Sequence, residues 1–422
     1  MVLQMRSDPR TRRTKSRPLR PRVVFITNHL APYVVPWMQA IRRQDQVRLE
    51  NWLMTRHERN RNWSVPRDSG LAIRVFHDWG IDMSNRDYVI LHFNPGMLWE
   101  LARHPPDLVI LGGYESLTCL SAALVLRRRG IPFVFCVESI DLGSSPTGRW
   151  IPWLVKTCFA ACSAVIVYGR SSWEHVRSLG VPSNRIFTAP NSVDVNRFHP
   201  AGSAEERLQL RRSLGLPDGV LCLYVGQLTE RKGIDVLMKG FRLAGEDHPD
   251  AHLVLVGGGP LLGALTAAVR DDATLTGRVH VMGPCSEDEL PSYYAASDVF
   301  VFPTLYDVWG MVLNEAMCSG LPIVSSEGAA GARDLVEEGV TGFRFALGNP
   351  EALAAKLEPL LADPELRRRL AAAGRNKILG SFTPDQTARA VIRPVLTVLG
   401  AAPTETSGST SVEGSGSLRT SS

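Results

Sequence analysis

Apolar and polar positions follow one repeated pattern along most of the chain. Short apolar runs rich in Val, Ile, Leu and Phe are separated by longer segments in which apolar residues recur every three or four positions. Runs without polar interruption are typical of parallel strands buried on both faces, and the longer spacing is typical of helices. The pattern therefore predicts an α/β protein in which strands and helices alternate.

The first half of the chain shows this alternation from residue 22 onward. Strands are predicted at residues 22–27, 47–54, 106–113, 131–137 and 164–168, and helices at residues 34–42, 117–129 and 169–180. The long apolar segment at residues 150–168 is interrupted by Lys156 and divided by Ser163. A buried helix followed by a strand therefore explains it better than a membrane span.

The alternation breaks near residues 190–217 and then begins again. Further strands are predicted at residues 221–225, 252–256, 279–282, 299–302 and 322–325, with helices at 235–243, 261–270, 290–296 and 311–320. Two doubly wound lobes bind ligands in the cleft between them, at the carboxyl ends of their strands. We expect a first lobe at residues 22–195, a linker at 196–217, a second lobe at 218–383 and a last helix at 384–400 that packs back on the first lobe.

The stretch from Val299 to Pro322 is the centre of the second lobe. A strand ends at Pro303, which has no N–H to donate, and a loop leads to a helix that starts near Met311. The free N–H groups of a helix start form a natural anion site. Two carboxylates flank this helix start, Asp307 in the loop and Glu315 in the helix. In one interpretation Asp307 caps the helix and Glu315 is solvated, and in the other both carboxylates bind a ligand.

Two glycine turns follow other strands of the second lobe. Gly226 comes after the first of them, and Arg231-Lys232-Gly233 stands just before the next helix. This loop offers two cations and a helix start to a phosphate but lacks the Gly-Lys-Ser/Thr of a P-loop. The turn at Gly257 permits close backbone approach but lacks the GxGxxG spacing of a dinucleotide site. A phosphate site and ordinary solvated turns both remain open from these residues alone.

Charge and cysteine usage narrow the class of protein. Residues 1–22 carry eight Lys or Arg and one Asp, so they contribute +7 to a net charge of +5 and leave −2 for the rest of the chain. The folded part is therefore not expected to bind nucleic acid. We expect residues 1–21 to be a disordered basic tail, either a solubilising arm or a contact for anionic lipid or RNA, and residues 401–422 to be disordered. Seven scattered cysteines and no apolar leader favour reduced thiols in the cytoplasm.

Several kinds of site lack their characteristic motifs. The chain has no HExxH, no GxSxG and no zinc-ligand spacing, so neither a metal nor simple hydrolase chemistry is expected. The acidic run from Ser286 to Glu289 fits a capping box better than a metal cluster. His29, which follows Asn28 on the loop after the first strand, is the one histidine placed near the cleft, and an ordinary loop histidine is the alternative that its sequence favours.

The order of motifs over residues 224–343 is similar to that of a known family. These are YVGQLTERKGIDVLMKGF, LVLVGGGP, YYAASDVFVFPTLYDVWGMVLNEAMCSGLPIVSS and LVEEGVTGF. With them the chain resembles the retaining glycosyltransferases of family four, and residues 190–198 resemble the family's interlobe segment. The resemblance covers nearly all of residues 22–400. It implies the GT-B fold, which has two Rossmann-like doubly wound lobes and an interlobe cleft, and a nucleotide-sugar donor with no further cofactor.

The resemblance also implies roles for individual residues. Arg231 and Lys232 would bind the donor diphosphate, and Glu315 the ribose hydroxyls. Asp307 stands where the family usually has Glu, one methylene longer, which affects the expected sugar preference. The remaining donor-site positions are Gly226, Gly257, Val308, Trp309, Gly310, Met311 and Val312. The first lobe would bind the acceptor, with Asn28 and His29 on its loop and Glu138 in the cleft, where many members have a His.

The implied reaction moves a sugar to a hydroxyl acceptor with retention of anomeric configuration and needs no enzyme nucleophile. Its expected setting is glycan or glycolipid assembly in the cytoplasm, with the tail, Trp52 and Trp63 contacting the inner face of a membrane. Three alternatives of similar architecture stay open: a nucleotide-sugar epimerase, a sugar phosphorylase, and a catalytically silent partner in a polysaccharide assembly complex.

Overall fold

The computed structural model describes residues 20–56, 69–82, 90–114, 116–138 and 152–401. Most of the basic tail, Trp63 and residues 402–422 lie outside the described residues. The described part forms two lobes, each built on one parallel sheet with helices on both faces.

The first lobe contains a seven-stranded parallel sheet in the order β3-β2-β1-β6-β7-β8-β9. Its strands are β1 (Arg22–Thr27), β2 (Arg48–Leu53), β3 (Ala72–Val75), β6 (Leu108–Gly112), β7 (Phe133–Val137), β8 (Ala164–Tyr168) and β9 (Ile186–Ala189). β4 (Ile81–Asp82) and β5 (Ile90–Leu91) form a separate antiparallel pair. The helices are α1 (Val34–Gln44), α2 (Pro95–Arg103), α3 (Leu117–Arg129), α4 (Pro152–Ala161) and α5 (Gly169–Ser178).

The second lobe contains a six-stranded parallel sheet in the order β12-β11-β10-β13-β14-β15. Its strands are β10 (Val220–Val225), β11 (Ala251–Val256), β12 (Val279–Gly283), β13 (Val299–Phe302), β14 (Ile323–Ser326) and β15 (Gly342–Phe345). Its helices are α6 (Ala204–Ser213), α7 (Ile234–Ala244), α8 (Leu262–Asp271), α9 (Leu290–Ala296), α10 (Met311–Cys318), α11 (Ala332–Leu335), α12 (Pro350–Ala362) and α13 (Pro364–Ser381). The short α6, inside the predicted linker, packs on α9 of this lobe, and its Arg211 bonds the Asp298 carboxylate at 2.7 Å.

The last helix, α14 (Pro384–Val398), returns to the first lobe and packs on α1 and β9. Val391, Ile392 and Val395 are buried there in the same cluster as the apolar side chains of β1 and α1. Burying one such side chain stabilises a fold by about 1.5–3 kcal/mol. The helix begins with a capping box in which Thr383 and Gln386 bond each other's backbone N–H groups.

Local sequence explains several element boundaries. The Ser116 hydroxyl accepts a hydrogen bond from the N–H of Cys119 at the start of α3, and Gly130, with φ +66°, ends that helix. The reciprocal hydrogen bonds predicted for a capping box at Ser286 are present, because its hydroxyl accepts from the N–H of Glu289 at 3.2 Å and its N–H donates to the Glu289 carboxylate at 2.9 Å. They close a turn before α9, however, and the helix itself begins at Leu290.

One surface prediction is wrong. Trp52, expected on the surface, is 1% exposed, because β2 is flanked by β1 and β3 and the ring packs against Phe76 and below Arg22 and Arg74. The seven cysteines, all in the described ranges, are free thiols, and six are buried. Within those ranges, no helix combines the length and apolar character needed to cross a bilayer.

Candidate functional site

The candidate site lies where the strand order of the second sheet reverses. β10 pairs with β11 on one side and with β13 on the other, so the loops after β10 and β13 leave the same edge as neighbours. Ligands bind at such switch points in doubly wound sheets. The two loops are hydrogen-bonded here, since the N–H of Leu305 donates to the carbonyl of Arg231 at 2.9 Å.

Lys232 and Asp307 form an ion pair between these loops. The Lys232 ammonium donates to Asp307 Oδ2, and the two side chains are only 11% and 16% exposed. The ammonium also lies 5.3 Å from the centre of the Phe302 ring. Charges that are partly removed from water interact more strongly than surface pairs, so each side chain holds the other in place. The neighbouring Arg231 donates to the carbonyl of Tyr306 at 2.6 Å.

The loop of residues 304–310, called the donor loop after the role predicted for it, is held by hydrogen bonds within the loop and to the residues that follow β14. The second carboxylate oxygen of Asp307 accepts from the N–H of Trp309 at 3.2 Å, and the Asp307 carbonyl accepts from the N–H of Ala330 at 3.0 Å. Gly310 has φ +86°, and a Cβ there would lie 2.7 Å from the Phe302 ring. Only glycine fits this turn, which places the start of α10, with Met311 and Val312, directly after the loop.

Glu315 projects from α10 and is held by a tyrosine. The hydroxyl of Tyr294 donates to Glu315 Oε2 at 2.7 Å. Burial raises the pKa of Glu315, and the Tyr294 hydrogen bond and the charge of Arg197 oppose that rise. With one oxygen committed to Tyr294, the other carboxylate oxygen has acceptor capacity for a ligand hydroxyl.

The two glycine turns are packed backbone to backbone. A Cβ at Gly257 would lie 1.9 Å from the carbonyl oxygen of Gly226, and a Cβ at Gly259 would lie 2.5 Å from that of Leu228. The N–H of Leu228 donates to the carbonyl of Gly258 at 2.8 Å. Close approach of the loops after β10 and β11 therefore accounts for these glycines in the described structure.

The acceptor-side candidates lie at the carboxyl edge of the first sheet. Asn28 and His29 follow β1, and the Asn28 side chain accepts from the N–H of His29 at 3.0 Å. Glu138 follows β7, and its carbonyl accepts from the hydroxyl of Ser172 at 3.1 Å. Burial raises the pKa of the nearby Tyr168, and electrostatic interactions with Cys136 and Glu138 raise this pKa further. The structure thus groups Arg231, Lys232, Asp307 and Glu315 in one lobe and these three residues in the other.

The first lobe contacts the donor loop directly at the start of α5. A Cβ at Gly169 would lie 2.6 Å from the Trp309 ring and 2.7 Å from a carboxylate oxygen of Asp334. Asp334 accepts from the N–H of Arg170 at 3.2 and 3.3 Å. Burial raises the pKa of Asp334, and that N–H opposes the rise. Gly169, Asp334 and Tyr294 were not predicted, because nothing in their local sequence distinguishes them from ordinary helix and turn residues.

No metal cluster is present within the described ranges, where no group of three His, Cys, Asp or Glu side chains is placed to hold an ion. The residues that meet at the switch point are instead two cations, two carboxylates and a helix start. Together they can bind a phosphorylated, hydroxyl-bearing ligand.

Comparisons with known proteins match both halves of the chain to glycosyltransferases. The family model for glycosyl transferases group 1 matches residues 206–377, and that for glycosyltransferase family 4 matches residues 42–197. A D-inositol 3-phosphate glycosyltransferase of Catenulispora acidiphila is 29% identical over 304 residues, which is 67% of this chain and 70% of that protein. The sulfoquinovosyl transferase SQD2 of Arabidopsis thaliana is 28% identical over 299 residues, 68% of this chain but only 56% of that protein.

The fold has solved counterparts. The crystal structure of Anabaena HepE in complex with UDP and glucose superposes with a TM-score of 0.70 at 18% sequence identity, covering 89% of this chain and all of that one. The predicted architecture is therefore confirmed. Both halves of the chain match one family and its fold, and the protein is a member of the family-four, group 1 glycosyltransferases with the GT-B fold.

Proposed function

We propose that this protein transfers a sugar from a nucleotide-sugar to a hydroxyl group of an acceptor, with retention of anomeric configuration. The observation that carries the proposal is the partly buried ion pair between Lys232, next to Arg231 in the loop that leads into α7, and Asp307, in the loop that leads into α10. Cations at a helix start are suited to a diphosphate, and the carboxylates of Asp307 and Glu315 are suited to sugar hydroxyls.

The donor diphosphate would compete with Asp307 for the Lys232 ammonium. The ammonium donates to Asp307, so donor binding would exchange a carboxylate partner for a phosphate partner. Arg231 and the N–H groups at the start of α10 would share the charge. Groups placed where negative charge develops act most strongly on the transition state, and removal of one typically costs about 10²–10³ in rate.

The ribose would bind to the Glu315 oxygen that Tyr294 leaves with acceptor capacity. The tyrosine hydroxyl fixes the carboxylate rotamer through its 2.7 Å bond. Gly226 and Gly257 let the backbones of their two loops pack together, and these loops would form one wall of the proposed donor site. The solved complexes of HepE with UDP and with UDP-glucose support a nucleotide-sugar as the ligand class.

Asp307 would contact the sugar once Lys232 has moved toward the diphosphate. One of its oxygens accepts from Lys232 and the other from the N–H of Trp309. The side chain is one methylene shorter than the Glu expected in the family. We therefore propose that its hydrogen bond to the sugar differs in position from the one a Glu would make, which would shift the choice of sugar.

In the proposed reaction the bond between the anomeric carbon and the phosphate oxygen lengthens to an oxocarbenium-like state. The acceptor oxygen bonds to the anomeric carbon on the same face, and its proton passes to the departing phosphate oxygen. No enzyme group is covalently modified. The protein contributes orientation of the two substrates and stabilisation of the leaving diphosphate.

The first lobe would hold the acceptor at the carboxyl ends of β1 and β7, near Asn28, His29 and Glu138. Similarity to a sulfoquinovosyl transferase and an inositol 3-phosphate glycosyltransferase supports assembly of a glycolipid or glycan as the setting. We propose the cytoplasmic face of a membrane as the place of action, with residues 1–19 as the contact.

A thermal-shift panel of UDP-, GDP- and ADP-sugars tests the proposal. A ligand that binds only the folded state at 100 times its Kd adds about 2.7 kcal/mol to the free energy of unfolding, so one nucleotide series should raise the melting temperature. Proton NMR of the product formed from that donor should show the donor's anomeric configuration.

Other results of the same assays would contradict the proposal. Inversion would overturn the retaining mechanism. Release of a free epimer would indicate an epimerase, and dependence on inorganic phosphate would indicate a phosphorylase. Donor binding without transfer or hydrolysis across many acceptors would indicate a silent binding partner.

A further inference from the structure

Trp309 links the donor loop to the parts of the chain that join the two lobes. Its side chain is 4% exposed. Its backbone N–H donates to Asp307 Oδ1 at 3.2 Å, and its carbonyl accepts from the N–H of Gly331 at 3.0 Å. A shift of Trp309 therefore moves Asp307 and the start of α10 with it.

The indole of Trp309 is hydrogen-bonded, through one side chain, to the first crossing between the lobes. Its N–H donates to Asn314 Oδ1 at 2.7 Å, and Asn314 Nδ2 donates to the carbonyl of Asn191 at 2.9 Å. Asn191 lies just after β9, where the chain leaves the first lobe, and both asparagines are buried. Water cannot replace a buried hydrogen bond, so the loop and the crossing are held at fixed separation.

The same ring lies against the second crossing. Its centre is 6.5 Å from that of Phe382, which ends α13 immediately before the chain returns to the first lobe through α14. The two crossings are also bonded to each other, because the hydroxyl of Thr387 donates to the carbonyl of Pro190 at 2.8 Å.

The ring also reaches the body of the first lobe. The space that a Cβ at Gly169 would need is occupied by the Trp309 ring, 2.6 Å away, and by the Asp334 carboxylate. Close-packed contacts of this kind have few alternative arrangements. A small displacement of α5 therefore either carries the Trp309 ring with it or breaks the contact.

We propose that Trp309 is a positioning residue that makes the geometry of the donor loop depend on the orientation of the first lobe. The ring holds Asp307 and the start of α10 in place only while Asn191, Phe382 and Gly169 occupy their positions around it. The inference rests on the proposed function, because it names what completes the donor site. It differs from a plain core role in one respect: a change in the first lobe alters donor affinity in the second.

Gly169→Ala is the main test, and Gly180→Ala is its matched control. Both glycines lie in the first lobe and have positive φ. Gly169 begins α5 and has φ +81°, and Gly180 lies just beyond the end of α5 and has φ +92°. The added methyl at Gly169 meets Trp309, whereas no described atom lies within 4 Å of a Cβ at Gly180. Calorimetric titration with UDP, GDP and ADP should show Gly169→Ala about tenfold weaker for the diphosphate that binds wild type. Gly180→Ala should stay within twofold.

Trp309→Phe and its control Trp52→Phe test the link from the other lobe. Each removes a buried indole: that of Trp309 donates to Asn314 Oδ1, and that of Trp52 packs against Phe76 in the first lobe. Both variants should lose thermal stability, but only Trp309→Phe should raise the diphosphate Kd, by about tenfold. In the double variant Gly169→Ala/Trp309→Phe the two losses should not add, since they act on one contact.

Amide hydrogen exchange without ligand separates this inference from the proposed function. Residues 307–314 should exchange at least tenfold faster in Gly169→Ala than in Gly180→Ala. Equal exchange, or equal diphosphate affinity in these two variants, would overturn the inference. If wild type binds none of the three diphosphates, the proposed function fails, and the exchange result alone decides whether the loop depends on the first lobe.

Discussion

The ammonium of Lys232 and the carboxylate of Asp307 form an ion pair although they lie 75 residues apart in the sequence. The pair lies beyond the carboxyl ends of β10 and β13, where the second sheet reverses its strand order. Each side chain is more than four-fifths buried. The pair joins the two loops that form the candidate diphosphate site and balances one positive charge there.

Replacing either cation of this loop should abolish most transfer and leave the fold intact. Lys232→Ala and Arg231→Ala each remove a positive charge from the proposed leaving group, so kcat/KM should fall about 10²–10³-fold. Steady-state kinetics with the identified donor, and circular dichroism for the fold, measure this. Lys356→Ala, which breaks a more exposed pair with Glu338, is the control and should keep wild-type kinetics. Wild-type turnover in Lys232→Ala would contradict the proposed role of Lys232 in binding the leaving diphosphate.

Asp307→Glu should change which sugar is preferred more than how tightly the nucleotide binds. The added methylene moves the carboxylate toward the sugar, and one methylene is worth about 10–200-fold in discrimination within a pocket. The ratio of kcat/KM between two sugars on one nucleotide should therefore change at least tenfold, with the diphosphate Kd within about threefold. If Asp307→Glu weakened binding of the bare diphosphate and of every nucleotide-sugar by the same factor, Asp307 would act only through Lys232.

Tyr294→Phe should weaken donor binding and move its acid limit to higher pH. The pKa of Glu315 is raised by burial, and the Tyr294 hydrogen bond counteracts the rise, so its removal raises the pKa further. An ionised Glu315 accepts the ribose hydroxyls, so affinity is present above the pKa of Glu315 and is lost as pH falls through it. The donor Kd, measured between pH 5 and 8, should be about tenfold higher than that of wild type near neutrality. As the pH falls, the Kd should begin to rise at a higher pH than in wild type.

Tyr114→Phe is the control for that prediction. Tyr114 is likewise buried, and its hydroxyl bonds His175 at 3.0 Å, but it lies in the core of the first lobe. Its donor profile against pH should follow wild type. A profile for Tyr294→Phe that coincides with the control would remove Tyr294 from the site.

Membrane association should depend on the charged tail and not on Trp52. Residues 1–19 carry six Lys or Arg, each worth about 1 kcal/mol near an anionic surface. Flotation with vesicles containing phosphatidylserine should show binding that is lost on deletion of residues 1–19 and weakened by salt. Trp52→Phe should float like wild type, because the ring is buried. Absence of wild-type binding would end the membrane proposal.

Sequence reasoning succeeded where neighbours along the chain decide the structure. α3 runs from Leu117 to Arg129 as predicted, because a cap at Ser116 and a terminating Gly130 mark its ends. The buried strands were recognised by their apolar runs. β3, β9 and β15 were missed. All three are four-residue strands at the edges of their sheets, and in each at least two residues are exposed or only partly buried, so they have no continuous apolar run.

The sequence by itself determined the α/β alternation through the spacing of apolar residues, and it indicated the family and the donor loop through the motifs of residues 224–343. Only the tertiary structure decided that Lys232 pairs with Asp307, that Tyr294 holds Glu315 and that Gly169 lies against Trp309. Trp52 became buried for the same reason. Such contacts depend on strand order and on how the lobes pack, which bring together residues separated by 21 to 140 positions in the sequence. The local sequence around each residue therefore does not predict them.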